Sequence, residues 1–111
     1  MEQIIVNNEI YVKATPEITE WVLIRTYSAG VHFGVLKRRD GKEVELLKSR
    51  RIWYWDGAAS LSQMAVDGVS NPENCKFSVV LPSIILTEAI EIIPCTGKAV
   101  ESINGVKEWK R

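Results

Sequence analysis

Residues 50–61, RRIWYWDGAASL, set two guanidinium groups beside three large aromatic rings and then run into small residues. A guanidinium offers a planar fork of donors that matches phosphate, and an aromatic face can stack on a base or a cation. In an extended chain Arg51, Trp53 and Trp55 share one side, while Arg50, Ile52 and Tyr54 share the other. The first set makes a stacking platform with phosphate donors attached, chemistry that serves a nucleic-acid strand or a single nucleotide. Gly57 and Ala58 follow directly and lead into a helix whose first backbone N–H groups would face an anion. Tryptophan and tyrosine are also residues of cores and subunit interfaces, so each ring has a scaffolding role of equal weight.

A second cluster lies at 21–33. Arg25 and Tyr27 precede a Ser28-Ala29-Gly30 turn, with Trp21, His32 and Phe33 around it. These eight residues complete the set of expected ligand contacts. Catalysis is less well supplied. The chain has no G-x-S-x-G elbow, no G-x-G-x-x-G, no Walker lysine loop and no H-E-x-x-H. Glu43 and Glu45 fit a solvated face of ion pairs beside a basic hairpin. Glu88 and Glu91 sit in an Ile-rich run, where a salt bridge is the commoner fate of such carboxylates. His32 has no visible partner as a general base. Cys75 and Cys95 lack metal-type spacing, and with a single histidine a zinc site would be short of ligands. The expectation is a binding protein without catalytic residues, metal or cofactor.

The elements that must position these residues follow from length and periodicity. A chain of 111 residues suits one domain, here expected over 1–111. Buried thiols suit a reducing cytoplasm. The start of the chain shows no basic n-region or A-x-A-like site, so no signal peptide is expected, and no apolar run is long enough to span a membrane. Net charge is zero, but residues 37–51 hold seven bases against three acids. One basic stripe without a global excess favours a small anion over a long nucleic acid.

Residues 2–14 predict two short strands about Asn7-Asn8, a hairpin extension over 1–19 broken by Pro16. WVLIRTY (21–27) predicts a strand covered on both faces, turned by Ser28-Ala29-Gly30 into VHFGVLKR. Asp40-Gly41 is the strongest hairpin signal. KEVELLK returns as the third strand of a meander, and RRIWYW predicts a fourth. AASLSQMAV changes to helical period, with Ala58, Leu61, Met64 and Ala65 on one face and Gly68 as C-cap. CKFSVVL predicts a strand closed by Pro82. The β-branched SIILTEAIEII favours strand over helix. A second helix is expected from Thr96, with Ala99, Val100, Ile103 and Val106 as its stripe and Gly105 weakening it. The fold class is α+β: an antiparallel β-sheet meander with two α-helices packed against it.

VLIRTYSAGVHFG, RRIWYWDGAASL and ILTEAIEIIPCT resemble the phage-encoded Thoeris anti-defence proteins of type 1, over roughly residues 20–111. The resemblance implies a non-enzymatic sponge that sequesters cyclic ADP-ribose signals in the host cytoplasm and so blocks bacterial immunity. It further implies a homodimer or hexamer, with the signal held intact between protomers and cyclic oligonucleotides held at separate sites. The first nineteen residues have no counterpart. Two other functions remain open from the residues alone: a single-stranded nucleic-acid module using the basic hairpin and Trp platform, and a weak hydrolase or lyase of the same nucleotides.

Overall fold

The computed structural model describes residues 4–6, 9–11 and 17–111. Strands β1 (Ile4–Val6) and β2 (Glu9–Tyr11) pair antiparallel as a separate two-stranded sheet, while the Asn7-Asn8 turn and Pro16 lie outside the described residues. The main sheet is antiparallel and six-stranded. Its meander is β3 (Ile18–Thr26), β4 (Val31–Asp40) and β5 (Glu43–Tyr54). After helix α1 (Leu61–Asp67), a 3-10 turn at Pro72–Asn74 and the short β6 (Lys76–Phe77) come two more strands, β7 (Leu81–Leu86) and β8 (Ala89–Thr96). Helix α2 (Gly97–Asn104) follows without a break. The order is β6-β5-β4-β3-β8, with β7 also on β5.

Strand β7 thus pairs one side of the meander and β8 the other, yet only Thr87 and Glu88 join them. That connection forces the sheet to curl. At the corner Tyr27 N–H donates to the Glu88 carbonyl and Ala89 N–H to the Lys42 carbonyl, tying the end of β3 to the tip of the β4–β5 hairpin. Val22, Ile24, Val44, Leu46, Leu86 and Ala89 fill the curl. The opposite face carries the larger core, where Met64 and Ala65 of α1 and Ala99 and Ile103 of α2 pack on Leu23, Phe33, Ile52 and Phe77. Strand β3 is therefore covered on both faces, and the α+β expectation holds.

Several local expectations are corrected. KEVELLK and RRIWYW are one continuous strand, β5, and not two. The two-residue loop of the β4–β5 hairpin is Gly41-Lys42, with Asp40 still paired to Glu43, because Gly41 holds φ 62° at the first loop position. Pro82 lies inside β7 and does not end it. That strand has β5 on one side only, so a residue without an N–H is tolerated. SIILTEAIEII spans two strands about the Thr87-Glu88 corner. Gly105 is the C-cap of α2, beyond its interior, and carries no interior helix penalty. Thr96 is the expected side-chain cap of α2, accepting from Ala99 N–H, and Ser60 caps α1 by accepting from Gln63 N–H.

Strand β5 holds the feature that aims the site. Lys48, at φ 53°, is the one non-glycine with positive φ among the described residues. The register shifts there by one, Phe33 facing Arg50 but Val35 facing Leu47, so β5 carries an extra residue opposite Gly34. Gly34 permits this approach, since a Cβ would stand 2.9 Å from the Leu47 carbonyl oxygen and 3.2 Å from Ser49 Cα. The bulge reverses the parity of the strand. Val44 and Leu46 point into the curl, whereas Arg50 and Ile52 point into the helix-side core. Arg51 and Trp53 consequently face outward.

Candidate functional site

A cleft of about 450 Å³ opens where the Ser28–Gly30 turn meets the end of β5, lined by Ser28, Ala29, Gly30, Val31, Arg51, Ile52, Trp53 and Trp55. Its size falls in the range of roughly 300–1,000 Å³ typical of small-molecule sites. Six of the residues expected from sequence meet here, drawn from two segments more than twenty residues apart.

Each is held in place by a specific bond. Gly30 turns the chain at φ 85°, and its carbonyl accepts from both the N–H (3.1 Å) and Oγ1 (2.8 Å) of Thr26. Ala29 N–H donates to Thr26 Oγ1 at 2.7 Å, which leaves the Ala29 carbonyl aimed at β5. Arg51 Nη1 donates to that carbonyl at 2.9 Å. Arg51 forms no ion pair among the described residues; its side chain makes one hydrogen bond there and lines the cleft. Trp55 Nε1–H donates to the Ala58 carbonyl at 3.1 Å, setting the indole plane. Trp53 remains 67% exposed.

His32 lies beneath the cleft, fully buried and paired across the strands with Arg51. Its Nε2 sits 2.9 Å from the same Ala29 carbonyl that holds Arg51. A carbonyl only accepts, so the proton belongs on Nε2, and Nδ1 is left without a partner among the described residues. Burial lowers the His32 pKa, the bond to Ala29 opposes this, and the Arg51 charge lowers it further. The folded chain therefore refuses a proton that the unfolded chain accepts below about pH 6.5. Stability conferred by this group is complete at neutral pH and falls as pH drops through that value, by at most ~1.4 kcal/mol per pH unit. With one histidine in the chain, His32→Gln is expected to flatten the slope of stability between pH 7 and pH 5, measured by urea unfolding.

Other expected contacts are placed elsewhere. Phe33 is fully buried in the core, stacked on Trp21 at 5.0 Å, and closed to any ligand of this cleft. Trp21 lines a separate broad groove with Glu20, Val100 and Glu101. Arg25 is bonded to Glu91 at 2.9 Å across β3 and β8, which neutralises it, and Tyr27 stands exposed outside the cleft. Gly57 borders another hollow, beside Ser70 and Ser102. It is needed for backbone shape, since at φ 102° a Cβ would fall 2.4 Å from Ser70 N. At the helix start after Ala58 two of the donors are already used: Gln63 N–H goes to Ser60 Oγ and Ala59 N–H to Gln63 Oε1. Glu88 accepts from Ser28 Oγ at 3.1 Å. Cys75 and Cys95 are free and buried, and burial pushes the Cys95 thiol up to about 12. Among the described residues no helix is long and apolar enough to cross a membrane.

Sequence reasoning passed over Trp109. It stacks on Trp53, centroids 6.4 Å apart and planes 16° from parallel, with Lys76 Nζ 5.3 Å from its ring centre. A lone tryptophan in the charged ending EWKR has no periodicity to mark it.

No curated protein and no solved structure matches the chain. Residues 19–103 match a family model described as a domain of unknown function, DUF6948, a span that takes in the Ser28–Gly30 turn and the whole of β5 but stops short of Trp109. Covering the main sheet and both helices nearly whole, that match makes the chain a member of the DUF6948 family.

Proposed function

We propose that this protein binds a cyclic ADP-ribose-type nucleotide in the Arg51 cleft and holds it unaltered, acting as a sponge for a signalling molecule in the cytoplasm of an infected bacterium. The carrying observation is the Arg51 guanidinium, pinned by one carbonyl and unpaired with any acid among the described residues, in a cleft walled by Trp53 and Trp55. A pyrophosphate wants such a cation, an adenine wants such a ring, and the Ser28 hydroxyl and turn backbone supply partners for ribose. The resemblance to the Thoeris anti-defence proteins of type 1 supports the same ligand class, and cyclic oligonucleotides belong to it as a second one.

The nucleic-acid reading is weaker for a physical reason. Part of the basic stripe is not free for a strand: Arg38 bonds Glu43 at 2.8 Å and Glu45 at 3.0 Å, Lys37 lies 3.7 Å from Glu45, and Arg50 is buried. Strand binding needs many free cations along one groove.

The proposal includes assembly as a homodimer or a hexamer. Strands β7 and β8 each pair on one side only and leave Leu81, Ile85 and Ile90 exposed, surface that a second copy would cover. The test is a calorimetric titration with cyclic ADP-ribose isomers and cyclic oligonucleotides, then heat release and mass analysis, with light scattering alongside. Saturable binding, release of unchanged ligand and a mass above 12.5 kDa are expected. Altered ligand would replace the sponge with an enzyme, and no binding would overturn it.

A further inference from the structure

We infer that Trp109 is a positioning residue for base recognition: it buttresses Trp53 as the purine-stacking wall of the Arg51 cleft, an inference that rests on the nucleotide reading above. Trp53 lines the cleft, whereas Trp109 stacks on it from outside that lining and borders a different hollow, beside Pro72 and Glu73.

The tail is built to keep Trp109 there. Its backbone N–H donates to the Phe77 carbonyl at 2.8 Å, Glu108 bridges parallel to Phe77, and a Glu108 carboxylate oxygen accepts from Val80 N–H at 3.2 Å. Lys76, on the same short strand, holds its ammonium over the Trp109 ring. Strand β6 in turn pairs with β5 at Ile52 and Tyr54, the residues on either side of Trp53. One frame thus fixes both indoles.

Two tryptophans 67% and 47% exposed are a poor use of apolar area for a fold that needed only core. Side by side and nearly parallel, they lock the orientation of the outer ring, so a base stacking on Trp53 finds it already immobilised. The order Arg51, cleft, Trp53, Trp109, Lys76 puts one cation within the cleft for phosphate. The other cation polarises the buttress. A purine is favoured over a pyrimidine because stacking grows with ring area.

The discriminating probes are cyclic ADP-ribose, which has the base, and inorganic pyrophosphate, which has the charge alone. Trp109→Ala is expected to weaken cyclic ADP-ribose about tenfold, the scale of a lost base stack, and to leave pyrophosphate unchanged. Trp109→Phe is expected to restore most of the loss. Quenching of Trp53 fluorescence by the nucleotide should fall in Trp109→Ala and return in Trp109→Phe. Equal loss for both probes, or no loss for either, would overturn the inference, and so would a failure of phenylalanine to rescue. If Arg51→Ala abolishes binding while Trp109→Ala changes nothing, the cleft stands and the buttress falls. If the unmodified protein binds neither probe, both fall together.

Discussion

Replacing Arg50 with alanine is expected to destabilise the protein by about 3–5 kcal/mol, the largest stability effect of any single substitution near the cleft. Arg50 is 2% exposed, and it forms no ion pair among the described residues. Its charge is met instead by backbone carbonyls: Nε donates to Ser78 at 3.0 Å, Nη1 to Ile103 at 3.0 Å and Nη2 to Phe77 at 3.4 Å. The guanidinium carbon also lies 5.4 Å from the centre of the Phe77 ring. Ile103 is in the last turn of α2, where a cation complements the helix dipole. One side chain thus ties β5, the segment after β6 and the end of α2 together.

Truncating it leaves a cavity and removes one donor from each of three carbonyls. Phe77 keeps Trp109 N–H and Ile103 keeps Val106 N–H, so among the described residues the Ser78 carbonyl alone is orphaned, at about 1–3 kcal/mol. Burial lowers the pKa of this arginine, with Glu108 opposing, but a guanidinium stays charged, so the clasp does not switch with pH. In a chain this size a loss of 3–5 kcal/mol corresponds to a fall of roughly 15–25 °C in Tm. Arg50→Lys keeps the charge but reaches fewer carbonyls and is expected to lose about half as much. Thermal melts followed by circular dichroism check this. A Tm within 3 °C of the parent for Arg50→Ala would show that the clasp contributes nothing.

How much of this was legible beforehand depended on whether local signals met a tertiary constraint. The helices were readable because the helical period met one end signal in each, Gly68 closing α1 and Thr96 opening α2. The continuity of β5 was not readable. A bulge at Lys48 inverts the alternation halfway along, so a strand of one piece reads as two with opposite parity. Nothing local marks Lys48, since its positive φ is imposed by the close approach of Gly34 on the neighbouring strand. Pro82 and Pro94 were similarly opaque. Each suggests an end, yet each sits within a strand, Pro94 facing Val22 in the register of β3 and β8.

The site divides along the same line. Arg51, Trp53 and the Ser28–Gly30 turn were found because their chemistry is intrinsic, while the outward direction of Arg51 and Trp53 is set by the bulge at Lys48. Phe33 and Arg25 have the same chemistry but different surroundings. Phe33 alternates into the core, and Arg25 meets Glu91 across a strand pairing that links residues 66 positions apart. No spacing rule reveals that meeting. His32 was chosen as a ligand contact, and it lies one carbonyl away from Arg51, shaping the site from beneath.

Arg51→Ala is expected to cut affinity for cyclic ADP-ribose about ten- to a hundredfold with little change in Tm. A hydrogen bond to a charged group contributes roughly 1.5–3 kcal/mol, and the folded chain asks only one exposed bond of this side chain, to Ala29. Arg50 is the contrast beside it, one residue away and turned into the core: its loss lowers Tm first, and binding suffers only through unfolding. Trp53→Ala is expected to spare the fold as well, since that ring is mostly exposed, whereas Trp55→Ala removes packing from the core and the bond to Ala58. The scaffolding alternative makes the opposite forecast, in which Arg51→Ala binds normally. Salt separates the nucleotide from the strand. A ligand with two phosphates should lose little affinity between 50 and 200 mM salt, whereas a strand contacting six or more phosphates would lose about a thousandfold or more. Calorimetry of the unmodified protein and of Arg51→Ala at both salt concentrations reads both effects, and a steep salt slope in the unmodified protein, lowered by only about one in the variant, would move the function from a nucleotide sponge to a nucleic-acid module.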